Sequence, residues 1–196
     1  RGGLLVEKPI LITFDDGYLD NYEQAFPILK ELGMKASMYV IVSYRGQKPG
    51  RNVHFDWEQA REMIASGHIT IQSHSYASHH LIPETGESYL KGRLTFEDGR
   101  MESDKQYEER VKQDISLSKQ TIEAETGSQV LSFSYPFGHY NEQTERWLQE
   151  AGYQMSFTVK KGLYKLNDPL WKIPRLAVDG NWTGRELLTK IAALQP

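Results

Sequence analysis

Two adjacent carboxylates close an apolar run near the start of the chain. Pro9 to Phe14 reads as a short buried strand that leads into Asp15, Asp16 and Gly17. Carboxylates beside such a run are costly to bury unless each is paired with a cation or bound to a metal. Neighbouring strand positions point to opposite sides, so the two acids are expected to divide the work, one holding a metal and the other taking a proton. Alone, Asp-Gly would mark only a turn. A second cluster changes that. His74, His79 and His80 are three of the six histidines, all within the loop that follows a second strand, Ile69 to Gln72. Two histidines and a carboxylate are a common donor set for zinc or a similar divalent ion, with a position left open for water. His74 and His79 are five positions apart, so they share no helix face and a loop must bring them together. His80 competes with His79 as the second ligand.

The elements that would position these residues alternate. After Pro9–Phe14 comes a helical stretch, Asn21 to Leu32, closed by Gly33 and kinked at Pro27. Ala36 to Val42 is apolar and β-prone. Asp56 reads as the cap of a helix to Ser66, ended by Gly67. Ser103 and Gln106 form a capping-box pattern for a long helix ending near Gly127. Val130 to Tyr135 is a strand, Asn141 caps a helix to Gly152, Gln154 to Val159 is a strand, and a last helix runs from Thr183 to Leu194. Pro83 to Glu102 is polar and irregular, a surface loop suited to shaping a groove. Strand–helix alternation with short turns gives an α/β fold with a mainly parallel sheet, open or closed. Chemistry in such folds gathers at the carboxyl ends of the strands, where both clusters lie.

Composition narrows the classes. The 196 residues suit one domain, with 39% hydrophobic and 25% charged residues and a net charge of −3. No basic stripe marks a nucleic-acid or membrane surface, and no apolar stretch approaches a membrane span. The absence of cysteine excludes thiolate metal sites, cysteine nucleophiles and disulfides. The chain opens at Arg1 almost directly before a strand, and an upstream segment is expected ahead of it.

Thr-Phe-Asp-Asp-Gly after an apolar strand, then His-Ser with a further histidine close by, resembles the NodB-type polysaccharide deacetylases over nearly the whole chain. The resemblance implies a distorted (β/α) barrel with mainly parallel strands, formed as a single domain by residues 1–196. It makes Asp15 the base and Asp16, His74 and His79 the ligands of one divalent ion, zinc foremost, with cobalt or nickel also suited. The five-residue histidine spacing and the string Phe14 to Lys30 look like the branch acting on poly-β-1,6-N-acetylglucosamine. Its third motif corresponds to Ser134-Tyr135-Pro136-Phe137-Gly138, with the Phe137 backbone N–H as oxyanion donor. The arginine usual there is absent, and Arg175 is the candidate substitute that would tether the base. Tyr135 and Trp182 are candidates for stacking on sugar rings. No histidine follows His139, so the family's C-terminal acid is missing; His80, His139, bound water or the upstream segment would supply the proton.

The activity implied is removal of N-acetyl groups from a surface or biofilm polysaccharide with release of acetate, by an extracellular or cell-surface monomer that binds no nucleic acid. Peptidoglycan, chitin and xylan are alternative substrates, and a non-catalytic glycan-binding relative is an alternative of another class. A phosphatase of the haloacid dehalogenase type also starts with aspartates after a strand, but it separates them by one residue, and here they are adjacent.

Overall fold

A computed structural model describes residues 9–194; the chain start at Arg1 lies outside them. Five strands, β1 (Ile12–Phe14), β2 (Ala36–Val40), β3 (Ile69–Ser73), β4 (Ser132–Ser134) and β5 (Met155–Phe157), lie side by side in chain order. Every pairing is parallel, and the sheet curls into a half-barrel, the distorted barrel with helices that the sequence implies. Parallel strands covered on both faces read as near-continuous apolar runs, and β2 and β4 are buried almost throughout.

The helices are α1 (Phe26–Glu31), α2 (Trp57–Ala65), α3 (Asp104–Thr126), α4 (Glu142–Glu150) and α5 (Gly184–Ala192). The first is shorter than the sequence pattern suggested. A π-helical turn, Asn21–Ala25, precedes it, and Pro27 sits in its first turn, where a missing N–H goes unnoticed. The caps fall where expected. Asp56, Ser103, Asn141 and Thr183 each close a reciprocal capping box, and Gly127 ends α3 in the left-handed conformation at φ 67°.

Met38 and Val40 of β2, Ile71 of β3 and Phe133 of β4 meet Met63 of α2, Val111 and Ile115 of α3, and Trp147 of α4 in one core. No helix among the described residues is long and apolar enough to cross a membrane.

The irregular stretch between β3 and α3 is tied down. Arg110 of α3 donates to Glu102, Tyr89 O and Gly92 O. Tyr107 Oη donates to the carbonyls of Leu90 and Lys91. Asn141, besides capping α4, donates from Nδ2 to Lys91 O and Tyr107 Oη. One side chain thus serves both a helix terminus and the loop. We expect Asn141→Ala to destabilise the fold by roughly 1–2 kcal/mol, the upper part of the range for a lost cap. Urea unfolding would show the midpoint fall at constant slope; an unchanged midpoint would refute the double role.

Candidate active site

The carboxyl ends of β1, β3 and β4 converge. β1 stops at Phe14, so Asp15 stands just past the strand and Asp16 turns away from it with φ 69°, followed by Gly17 at φ 74°. The two acids are therefore parted by a left-handed turn, not by strand alternation as the sequence reading had it. The outcome is still a division. Asp16 Oδ1 lies 3.4 Å from His74 Nε2 and 3.2 Å from His79 Nε2, while Asp15 faces an arginine.

The Asp16, His74 and His79 donor atoms all lie within 4.8 Å of one another. The first test of a metal site is what those atoms lack. Asp16 Oδ1 is buried and has no hydrogen-bond partner among the described residues, so the approaches of the two imidazoles satisfy nothing by themselves. His74 Nδ1 lies 2.7 Å from Ser134 O. A carbonyl can only accept, so Nδ1 carries the proton and Nε2 presents its lone pair toward Asp16. Two donors about 2.1 Å from a shared ion at tetrahedral angles would lie about 3.4 Å apart, close to both observed separations. The residues fit a divalent cation.

His79 is held neutral as a ligand must be. Burial above all pulls its pKa down to about 4. His80 is not part of the cluster: its Nε2 lies 3.2 Å from Tyr44 Oη and its ring packs against Tyr89. The choice between the two histidines, open from sequence, goes geometrically to His79.

The histidine loop is shaped by a residue the sequence reading missed. Asp114 of α3, buried, accepts from the backbone N–H groups of Tyr76 and Ala77 and from Ser78 Oγ. Burial raises its pKa, against the pull of those donors. With Ser75 at φ 94°, this carboxylate folds the loop back so that His79 returns beside His74. Asp114 shares its helix face with Val111, Ile115, Ser118 and Ile122; an acid within a buried stripe was the available signal.

Arg45 was missed as well. It is buried, and its hydrogen bonds go to neutral partners: Asp16 O at 2.8 Å, Gly17 O at 2.9 Å, Ile41 O at 3.2 Å and His54 Nδ1 at 3.0 Å. Since Arg45 can only donate, His54 Nδ1 accepts, and the approach of Nδ1 to Asp16 O at 3.1 Å is a contact rather than a second bond. Burial lowers the Arg45 pKa to about 9, with the Asp16 charge opposing, so it stays cationic at neutral pH. A Cβ at Gly17 would meet Arg45 Nη1 at 2.5 Å, so glycine is required there for space as well as for its φ.

Asp15 is gripped by Arg175. Nη1 donates to Oδ1 at 2.9 Å and Nη2 to Oδ2 at 2.6 Å, the bidentate fork of an arginine–carboxylate pair. Ser134 Oγ donates to Oδ2 at 3.1 Å. Burial pushes the Asp15 carboxyl up; the Arg175 hydrogen bonds and charge and the Ser134 hydroxyl draw it down, leaving it below the usual range. Arg175, the candidate substitute for the arginine absent from the third motif, thus contacts the candidate base directly, and Ser134 Oγ bonds both Asp15 and Arg175.

Phe137 has φ 58° within the turn Pro136–Gly138, and its ring packs on His79 at 4.5 Å between centroids. No hydrogen bond to its N–H is found among the described residues, which leaves the donor free. The two sugar-stacking candidates fare differently. Tyr135, just past β4, is fully buried against Phe133 and Tyr140; it is a core residue and offers no face to a ligand. Trp182 is half-buried with Lys190 Nζ 4.4 Å over its ring, and no contact joins it to the cluster among the described residues. His139 Nδ1 accepts from Ser88 N–H.

Fold and site together define a class: an α/β half-barrel with a candidate divalent-metal centre beside an arginine-held carboxylate. Comparison with known proteins gives the family. The polysaccharide deacetylase profile matches residues 4–156. YxkH of Bacillus subtilis (strain 168) is 34% identical over 178 residues, covering 91% of this chain and 54% of its own. The poly-β-1,6-N-acetyl-D-glucosamine N-deacetylase of Escherichia coli (strain K12) is 29% identical over 212 residues, covering 100% of this chain and 31% of its own. The solved BpsB deacetylase domain from Bordetella bronchiseptica superposes with a TM-score of 0.76 at 31% identity, over 85% of this chain and 70% of that one. The chain belongs to the polysaccharide deacetylase family. It spans about half the length of YxkH and about a third of the E. coli enzyme.

Two predictions follow from the ligand environment. Arg45→Met removes the clamp on the Asp16–Gly17 turn, and divalent-ion affinity should fall roughly 10- to 100-fold, the usual effect of losing a group that orients a ligand. Competition against a chelator measures this; affinity within twofold of wild type would show that the turn holds itself. The second concerns pH. A histidine whose folded pKa lies near 4, below the ordinary value of 6.5, contributes stability above pH 6.5 that is lost as pH falls toward 4. In metal-free protein, His79→Gln should therefore lose less thermal stability than wild type between pH 7 and pH 4. Parallel losses in the two proteins would contradict the shift.

Proposed function

We propose that this chain hydrolyses N-acetyl groups of a polysaccharide, with poly-β-1,6-N-acetyl-D-glucosamine as its substrate and acetate as a product. The observation that carries the reading is the bidentate Arg175–Asp15 pair standing beside three convergent ligand atoms. Asp16, His74 and His79 would hold the ion, zinc by the chemistry of the donors, with cobalt and nickel sharing the same preference. The bound ion would supply Lewis-acid polarisation of the acetyl carbonyl and a lowered pKa for water.

The chain's own residues do the rest. Asp15 accepts a proton from the attacking water as its oxygen bonds to the acetamide carbon. Arg175 and Ser134 keep the carboxylate ionised and aimed while that happens. The Phe137 N–H donates to the oxygen that gains charge as the carbon becomes tetrahedral. When the C–N bond breaks, the nitrogen takes a proton and leaves as an amine. A carboxyl held below its usual range is a weak base but a ready acid once protonated, so the proton Asp15 took is available for return. His80 and His139 each keep a second ring nitrogen outside these contacts, so each is an alternative donor of that proton beside Asp15.

Support for the substrate is the resemblance of the five-residue histidine spacing to that branch, together with the E. coli relative named for that polymer. The same reading places the protein outside the cell or on its surface, as a monomer, where freed amines would make a biofilm polymer cationic. Peptidoglycan, chitin and xylan are comparison substrates in the test.

Acetate release from β-1,6-linked N-acetylglucosamine oligomers, with added zinc, cobalt or nickel, measures the activity. Asp15→Asn should lower turnover by roughly 10²–10⁴-fold, the usual share of a general base, while metal content stays at wild-type level. Turnover near wild type in that variant would remove Asp15 from the mechanism. Saccharide binding with no acetate release from wild type would favour the glycan-binding alternative.

A further inference from the structure

The seam between β3 and β4 is the thinnest in the sheet. Ala36–Val40 of β2 pairs throughout with Ile69–Ser73 of β3, and Ser132–Ser134 of β4 with Met155–Phe157 of β5. Between β3 and β4 the ladder holds one pair among the described residues, Ser73 with Phe133. β3 itself is fixed by the β2 ladder and by a 2.6 Å hydrogen bond between Ser73 Oγ and Ser118 Oγ of α3. The position of β4 along β3 is therefore the loosest dimension of the sheet. Yet the contact of Ser134 O with His74 Nδ1 crosses this seam, and that of Ser134 Oγ with Asp15 depends on it.

Just below the single pair, a side chain takes the place of a ladder. Gln72 is buried, and its Oε1 accepts from the Leu131 N–H, the Ser132 N–H and Ser132 Oγ, each at 2.9 Å. Its Nε2 donates to Gln129 O at 3.3 Å. Three donors on one side and a carbonyl on the other leave the amide a single orientation. Because the Ser132 hydroxyl proton goes to Gln72, the 3.0 Å contact between Tyr39 Oη and Ser132 Oγ is a bond donated by the tyrosine. Tyr39 of β2, Gln72 of β3 and Ser132 of β4, all buried, are thus chained across three neighbouring strands.

Met38, Ile71 and Phe133, next to these positions, belong to the apolar core. An apolar side chain at 72 would fill the same space without the cost of burying an amide. Apolar packing, however, carries little direction: cores that keep their volume lose uniqueness before they lose stability. One step of slip along a strand turns every side chain to the other face. Slip at Ser132 would reach Ser134, two residues on, and take its hydroxyl off Asp15 and its carbonyl off His74. The four bonds of one amide fix β4 at Gln129, Leu131 and Ser132, and the backbone carries that register to the mouth of the half-barrel.

We propose that Gln72 is a positioning residue for the site: by locking β4 to β3 below the mouth, it holds Ser134 against His74 and Asp15. It acts through Ser134. Its effect on the base rests on the deacetylase reading, whereas its effect on His74 rests on the metal centre alone.

Gln72→Met keeps length and volume and removes all four bonds. On folded protein, well below the melting midpoint, zinc affinity measured by chelator competition should fall about tenfold, as for other losses of a group that orients a ligand. At saturating zinc, turnover on β-1,6-linked N-acetylglucosamine oligomers should fall about tenfold with KM held within about twofold. In a Ser134→Ala background, where the positioned hydroxyl is already gone, the same substitution should lower turnover less than about twofold. A lower melting temperature with wild-type zinc affinity would make Gln72 a structural residue only and overturn the proposal. Turnover losses that add in full in the double variant would overturn the route through Ser134, and the proposal with it. If wild type releases no acetate while Gln72→Met still weakens zinc binding, the positioning role stands and the deacetylase reading falls. Should Gln72→Met fail to fold, Ser132→Ala, which removes one bond and leaves both N–H donors, replaces it. Zinc affinity should then fall about threefold, and an unchanged affinity overturns the proposal.

Discussion

The Arg175 guanidinium spans the gap that an open five-stranded sheet leaves between its edge strands. It donates to Thr158 O just beyond β5, to Thr13 Oγ1 on β1, to both oxygens of Asp15 at the end of β1, and to Ser134 Oγ at the end of β4. Residue 175 reaches this place because Ile173 pairs with Phe157 and the Arg175 N–H bonds Lys160 O, extending the sheet past β5. One side chain thus joins both edges of the half-barrel. Removing either partner of such a pair leaves the other charge poorly solvated, which costs far more than the pair gains over apolar packing. Closure of the barrel mouth and placement of the candidate base are therefore a single interaction, and neither can be altered without the other.

Backbone strain gathers around the same mouth. Among the described residues five non-glycine residues have positive φ, and three of them are Asp16, Ser75 and Phe137. Conformations of this kind persist only where the surroundings over-determine them. At Asp16 that role falls to Arg45, whose donors hold the carbonyls on either side of the turn. Beyond Ser75, Asp114 gathers two backbone N–H groups and a hydroxyl. Phe137 is followed by Gly138, where a Cβ would strike Val159 at 2.5 Å. Each strained residue supplies something to the site: a candidate ligand, the bend between two candidate ligands, an N–H with no partner among the described residues. That distribution ties the strain to function more firmly than any one angle could.

What was legible in the sequence was local. Capping boxes are written in residues three apart, and Ser103 with Gln106 marked the start of α3 correctly. Alternating apolar segments gave the parallel sheet, although β4 and β5 proved shorter than their apolar runs, because ladder pairing covers only the middle of each run. Less legible was whatever depends on distant partners. Tyr135 carries the composition of a sugar platform and is spent in the core. Arg45 is an ordinary basic residue until the fold sets it under Asp16. The separation of Asp15 from Asp16 was foreseen but assigned to strand pleating; a left-handed turn performs it.

Ser134 shows why an arginine can leave a motif without leaving the site. Its carbonyl accepts from His74 Nδ1, fixing the tautomer of a proposed ligand, while its hydroxyl touches both Asp15 and Arg175. Ligand orientation and base orientation thus pass through one small residue at the end of β4. The side chain at position 134 points at Asp15, its Oγ 3.1 Å from Oδ2, so the small hydroxyl adds a hydrogen bond without filling the space around the carboxylate. A serine there leaves room for a guanidinium arriving from the next segment over, which can fork onto both carboxylate oxygens in one plane. The chemistry fixes where the cation must lie relative to Asp15 and leaves open which strand delivers it. Arg175 satisfies that requirement from a position forty-one residues further along the chain, which is why a sequence motif alone loses sight of it.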